Sequence, residues 1–107
     1  MGTLVAYFFG GFFLANAWPH LLSGMMGRSF PSPFAKPRGR GPSSPTVNVL
    51  WAFANLVFAY LLTVRVGNFQ WHDASSVIAL GVGALLCALY LAHHFGQVFE
   101  GRQTDPA

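Results

Sequence analysis

Three apolar blocks almost free of charge constrain this chain more than any other feature of its sequence. They run from Thr3 to about Trp18, from Val47 to about Val66 and from Ala74 to about Phe95, and Arg65 is their only formal charge. The second and third reach the roughly 20 residues that a helix needs to cross about 30 Å of hydrocarbon. Helices on a soluble domain carry a polar face, and these blocks do not. Only 8% of the 107 residues are charged while 53% are hydrophobic, against roughly 25% charged in an ordinary soluble domain. The expected fold is therefore all-α, a three-transmembrane-helix bundle forming a single membrane domain over residues 1–107. Its spans cover about 3–18, 45–66 and 74–95, and a Pro/Gly-rich basic loop joins helices 1 and 2.

Punctuation residues mark the boundaries. Pro19 kinks the first helix or ends it near Trp18. From Gly27 to Pro45, five prolines, glycines and serines exclude a regular helix and read as an extended, polyproline-like loop on the membrane surface, with Phe30 and Phe34 at the interface. Ser44 is a good N-cap with Pro45 at the first helical position. Gly67 is placed as the residue that ends the second helix, and the short connection 68–72 makes helices 2 and 3 antiparallel neighbours. Asp73 caps the third helix, Gly101 ends it, and Arg102–Ala107 is a frayed tail.

The first block also has a secretory-signal reading, since Ala15-Asn16-Ala17 resembles a small-residue cleavage site. Met1-Gly2-Thr3 supplies no Lys or Arg for the positive region of such signals, which favours a retained span. Three crossings put Arg28, Lys36, Arg38, Arg40 and Arg102 on one side and Arg65 on the other. By the positive-inside rule the loop and the C-terminus are cytoplasmic and the N-terminus is outside. The net charge of +3 sits mostly in that loop, beside membrane spans, and gives no broad basic face for nucleic acid.

A resemblance agrees with this reading. Asn16-Ala17-Trp18-Pro19-His20, Phe30-Pro31-Ser32-Pro33-Phe34 and Ser43-Ser44-Pro45 followed by Asn48 and Trp51 resemble small, uncharacterised bacterial multi-span inner-membrane proteins. Those proteins have a Pro-His element, an FPSPF-type loop and an SSP-x-x-N-x-x-W helix start. The resemblance implies an integral protein of the bacterial inner membrane and adds no catalytic residues.

Three constellations are candidates for function. Small and amide residues recur at helical spacing, with Gly10 on the first helix, Asn48, Asn55 and Ala59 on the second, and Gly81 and Ala88 on the third. Small residues let membrane helices approach closely and buried amides hydrogen-bond between them; the competing role is the lining of a substrate path. His20, Asn48, His93, His94 and Gln97 converge at the cytoplasmic helix ends, where they could form a polar cluster or ligate a metal or haem. Adjacent His93 and His94 point about 100° apart and cannot share one ion. Arg38 and Arg40, with the helix start at Ser44, suit an anionic lipid headgroup.

No nucleophile elbow, P-loop, metal-binding His/Cys motif or paired carboxylate is present, so catalysis has no sequence support and no cofactor or metal is required. The leading expectation is a small membrane protein acting by association, as a homo-oligomer or an accessory subunit of a membrane assembly. Its expected partners are the lipid bilayer, anionic headgroups and another membrane protein. The alternatives are a haem- or metal-binding redox or proton-transfer component, and an oligomeric transport or lipid-handling protein.

Overall fold

The computed structural model describes residues 2–103. Helix α1 spans Gly2–Met25, α2 Pro45–Tyr60 and α3 Ala74–Gln103, and between α1 and α2 strands β1 (Phe30–Pro31) and β2 (Pro42–Ser43) pair antiparallel. Without a break, α2 widens into a π-helical segment, Leu61–Val66. Two helices are long and apolar enough to cross a membrane, Pro45–Val66 and Ala74–Glu100. The 24-residue α1 is not one of these, because Gly10, Gly11, Asn16, Pro19 and His20 dilute its apolar content.

Those diluting residues have a packing reason. The central helix is α1, which packs along both α2 and α3, while α2 and α3 scarcely touch each other. The short 67–73 connection does not make α2 and α3 neighbours as expected, because α1 takes the contact face of each. Adjacent Gly10 and Gly11 point about 100° apart and serve different partners. A Cβ at Gly10 would overlap the Thr63 methyl, and one at Gly11 would overlap the Leu80 carbonyl of α3. Gly83 returns the second contact against the Phe8 carbonyl. Ala52 and Cys87 are fully buried on the facing helices.

Of the two outcomes expected at Pro19, the one that ends the helix near Trp18 does not occur. Proline removes one N–H and frees one carbonyl, but α1 continues to Met25. It stops at Gly27 (φ +72°), where Arg28 N–H bonds Ser23 O at 2.9 Å and Gly27 N–H bonds Gly24 O at 3.1 Å. This double closure needs a left-handed residue, which glycine supplies without strain. The start of α2 follows expectation, with Ser44 Oγ accepting from Val47 N–H at 3.2 Å.

At the far end Gly67 has φ −91°, and the left-handed residue is Asn68 at φ 51°. Gly67 is small for another reason: the Tyr7 ring lies against it, and the Tyr7 hydroxyl donates to its carbonyl. Phe69 N–H reaches Thr63 O at 2.8 Å and Phe69 packs edge-on against Tyr7, so α1 also braces this turn.

Asp73 caps α3, accepting from Ser75 Oγ at 2.9 Å and Ser76 Oγ at 2.8 Å. The Ser76 and Ser75 hydroxyls hold its carboxyl below the usual aspartate value. The cap's contribution is complete above the ordinary carboxylate range and is lost as pH falls through the lower folded value. Helix α3 passes through Gly101 to Gln103, because a glycine inside a helix costs only ~1 kcal/mol relative to alanine. Residues 104–107 of the expected frayed tail lie outside the described residues.

Gly83 and Gly81 make a matched test. Leucine at Gly83 must separate two backbones, and overpacking of that kind costs ~1–3 kcal/mol or more. A Cβ added at Gly81 would meet nothing within 4 Å. In thermal unfolding in mild detergent, Gly83→Leu should lower the midpoint clearly while Gly81→Leu leaves it near wild type. Equal effects would contradict the central position of α1.

Candidate functional site

The polar residues of this chain are concentrated at the end of the bundle closed by the 27–44 loop, and Asn48 organises them. It lies in the first turn of α2 and is fully buried. Its side-chain nitrogen donates to Phe30 O at 2.9 Å, Ser44 O at 3.1 Å and Ser43 O at 3.2 Å. With carbonyls around the nitrogen, the amide oxygen must be the atom facing His20 Nδ1 at 2.7 Å. The network therefore assigns the His20 proton to Nδ1, which donates. One amide thus joins both loop strands, its own helix and α1.

The loop folds upon itself, and the extended polyproline-like course expected for it is not adopted. Each proline interrupts local ladders, but the remaining donors and acceptors find one another. Phe30 pairs with Ser43 and Pro31 with Pro42, and the Ser32 and Ser43 hydroxyls are 2.5 Å apart. Ser32 O accepts from Gly39 N–H at 2.8 Å and Ala35 N–H at 3.1 Å, and Pro37 O from Gly41 N–H at 2.8 Å. Gly39 has φ +70°, and a Cβ on Gly41 would overlap the Lys36 carbonyl. Both glycines are thus required by the turn that carries Lys36, Arg38 and Arg40.

Two further contacts tie this cap to the bundle. His94 Nε2 of α3 donates to Gly39 O at 2.6 Å, while its ring stacks on Tyr90. Phe30 inserts between helices, 5.4 Å from the His20 ring, 4.6 Å from Phe95 and 5.6 Å from Phe99. All three helices therefore hold the loop. Phe34 remains exposed, edge-on to Trp51 at 5.2 Å.

Of the expected polar cluster, His20 and Asn48 are hydrogen-bonded. His94 occupies the same end but is tied to the loop, and Phe95 packs against both rings, 6.3 Å from His20 and 5.1 Å from His94. His93 and Gln97 are exposed on α3. Among the described residues no three His, Cys, Asp or Glu side chains are placed to hold a metal. Arg38 and Arg40 are exposed on either side of Gly39, and Ser44 caps α2.

Of the expected packing positions, Gly10, Asn55 and Ala59 are buried. Asn16 Nδ2 donates to Asn55 Oδ1 at 2.9 Å and Asn55 Nδ2 to Trp51 O at 2.8 Å, which ties α1 to α2. Gly81 and Ala88 are exposed, and the α3 contact runs through Gly83 and Cys87 instead. Sequence reasoning missed Gly11, Asn16, Ser32 and the His94–Gly39 bond. The Gly10-Gly11 doublet was the available signal for a helix with two close neighbours.

On one flank of α1, the separation of α2 from α3 leaves an apolar cleft of about 330 Å³ near the Gly67 end, bordered by Gly10, Leu56, Tyr60, Phe69, Trp71 and Leu80. Comparison with protein-family models, curated proteins and solved structures found no match.

Opposite outcomes are expected from two substitutions in α2. Asn48→Leu strands the Phe30 and Ser43 carbonyls and the His20 donor, which should cost at least ~2 kcal/mol and speed tryptic cleavage after Arg38 or Arg40. The Trp51 indole N–H is buried with no acceptor among the described residues, so Trp51→Phe should leave stability unchanged or raise it slightly. Denaturant unfolding in detergent with timed proteolysis measures both. A stable, protease-resistant Asn48→Leu protein would remove Asn48 from its organising role.

Proposed function

We propose that the chain is a three-span bundle integral to a bacterial inner membrane, acting by association, as a homo-oligomer or an accessory subunit of a membrane assembly. The observation that carries this reading is the open cleft between α2 and α3. A closed three-helix bundle has three interhelical faces; here α1 contacts both partners and the third face is missing. The apolar cleft that results accepts a helix from another membrane chain.

Several features support membrane insertion and the third span. At 1.5 Å per residue, the 24 residues of α1 reach about 36 Å. It runs antiparallel to α2, with Gly10 near Ala59 and Gly24 near Pro45, as a three-crossing chain requires. Cleavage after Ala17 as a signal peptide would take Asn16 away from Asn55 and Tyr7 away from Gly67. Outward faces are apolar, with Leu50, Phe53 and Val57 on α2 and Ile78, Leu85 and Leu89 on α3 all more than half exposed. Lipid is the solvent that suits such faces. The Asn16–Asn55 hydrogen bond joins α1 to α2 at mid-helix, which favours a packing role over conduction.

Two measurements test this. For insertion and orientation, cysteines are placed at exposed Lys36 and Asn68. A polar maleimide added to intact cells should label position 68 and leave position 36 and buried Cys87 unlabelled; the reverse pattern inverts the orientation, and loss of the chain from carbonate-washed membranes rejects insertion. For association, the protein in mild detergent should run above its monomer mass in light scattering or co-purify stoichiometrically with one membrane protein. Leu56→Trp, which fills the cleft, should weaken that assembly. A wild-type chain that is monomeric and alone under both conditions rejects the reading.

A further inference from the structure

The cap places cations and exposed apolar side chains together. Arg28, Lys36 and Arg38 are exposed, and of the chain's three acidic residues only Glu100 lies on the cap-side half of α3 within the described residues. Among these cations Met25, Met26 and Phe34 are 63%, 62% and 64% exposed, an arrangement that water does not stabilise. Met25 also continues a stripe with Trp18 and Leu22, both exposed, at i, i+4 and i+7 on α1. The apolar flank of the bundle thus runs directly into the basic cap.

We propose that the cap docks onto anionic phospholipid in the leaflet that surrounds its end of the bundle. Arg28, Lys36 and Arg38 meet headgroup phosphates, and Phe34, Met25 and Met26 enter the acyl boundary beneath them. This rests on the membrane insertion proposed above. A leaflet offers phosphate above hydrocarbon, which matches the layering of cations and apolar groups on the cap. The turn is built before lipid arrives: His94 holds the Gly39 carbonyl and Gly41 N–H closes on Pro37 O. Lys36 and Arg38 therefore project from a fixed backbone, so less freedom is lost on binding.

The full-length protein is exchanged into nanodiscs or bicelles containing equal phosphatidylglycerol and phosphatidylcholine, and retained lipids are counted by native mass spectrometry. Cations close to a leaflet draw anionic headgroups to them, so wild type should retain phosphatidylglycerol several-fold over phosphatidylcholine. Arg28→Gln, Lys36→Gln and Arg38→Gln combined should bring the ratio near one, and Arg65→Gln, at the opposite end, should not. Raising salt on the wild-type protein should erode the preference, a readout that needs no variant to fold. Equal retention of the two lipids by wild type overturns the proposal, as does a preference unchanged by salt or by the triple substitution. Displacement by added inorganic phosphate would reassign the cations to a soluble anion and likewise overturn it. A chain that inserts yet shows no lipid preference defeats this inference alone, whereas failure to insert defeats both.

Discussion

Backbone meets backbone where Gly11 faces Leu80 and Gly83 faces Phe8, and the rest of the structure depends on that close approach. Without side chains between them, α1 and α3 come near enough for dispersion contacts to extend along both helices. A rotation of about 100° brings Gly10 against α2, so one glycine doublet sets α1 against two partners at once. The consequences run outward. The 68–72 turn has to pass around α1, Tyr7 braces that turn, and Gly67 leaves room for its ring.

At the other end the governing constraint is the satisfaction of buried polar groups. A loop with four prolines has fewer backbone donors than carbonyls, so some carbonyls need side-chain donors. Asn48 supplies its amide hydrogens to loop carbonyls, and its oxygen accepts a hydrogen bond from His20. His94 supplies a further donor to Gly39. Buried networks of this kind are stable when complete and costly when one member is missing. This is a physical reason for amides and imidazoles at these helix ends that requires no bound ligand.

Much of this is legible in the residues, and what is not has identifiable causes. The apolar blocks announce helices, and Ser44-Pro45 and Asp73 announce two of the helix starts, because capping chemistry is local. Pro19 offers either a kink or an end, and its neighbours in sequence do not exclude the end, since a proline penalty is outweighed when packing against α2 and α3 holds the helix. Gly101 misleads because a single glycine is too weak a signal to stop a long helix. Gly81 and Gly83 are indistinguishable by composition, and only the rotational setting of α3, fixed by α1, decides which faces inward. Topology is enough to bring His20 and Asn48 to one end. It does not find the partner of His94, because the fold of a proline-rich loop depends on long-range donors that spacing does not reveal.

The bond from His94 to Gly39 spans 55 positions of the chain, and this bears on the order of biosynthesis. A nascent chain emerges N-terminus first, so the loop and its Asn48 hub are made while α3 is still missing. During that interval the Gly39 carbonyl and the Phe30 ring lack the partners that α3 later provides. The loop can close onto α1 and α2 early, but its final seal waits for the last helix to arrive. Completion of the cap is therefore a record that all three helices have assembled, written at the end of the molecule that was synthesised before the third of them.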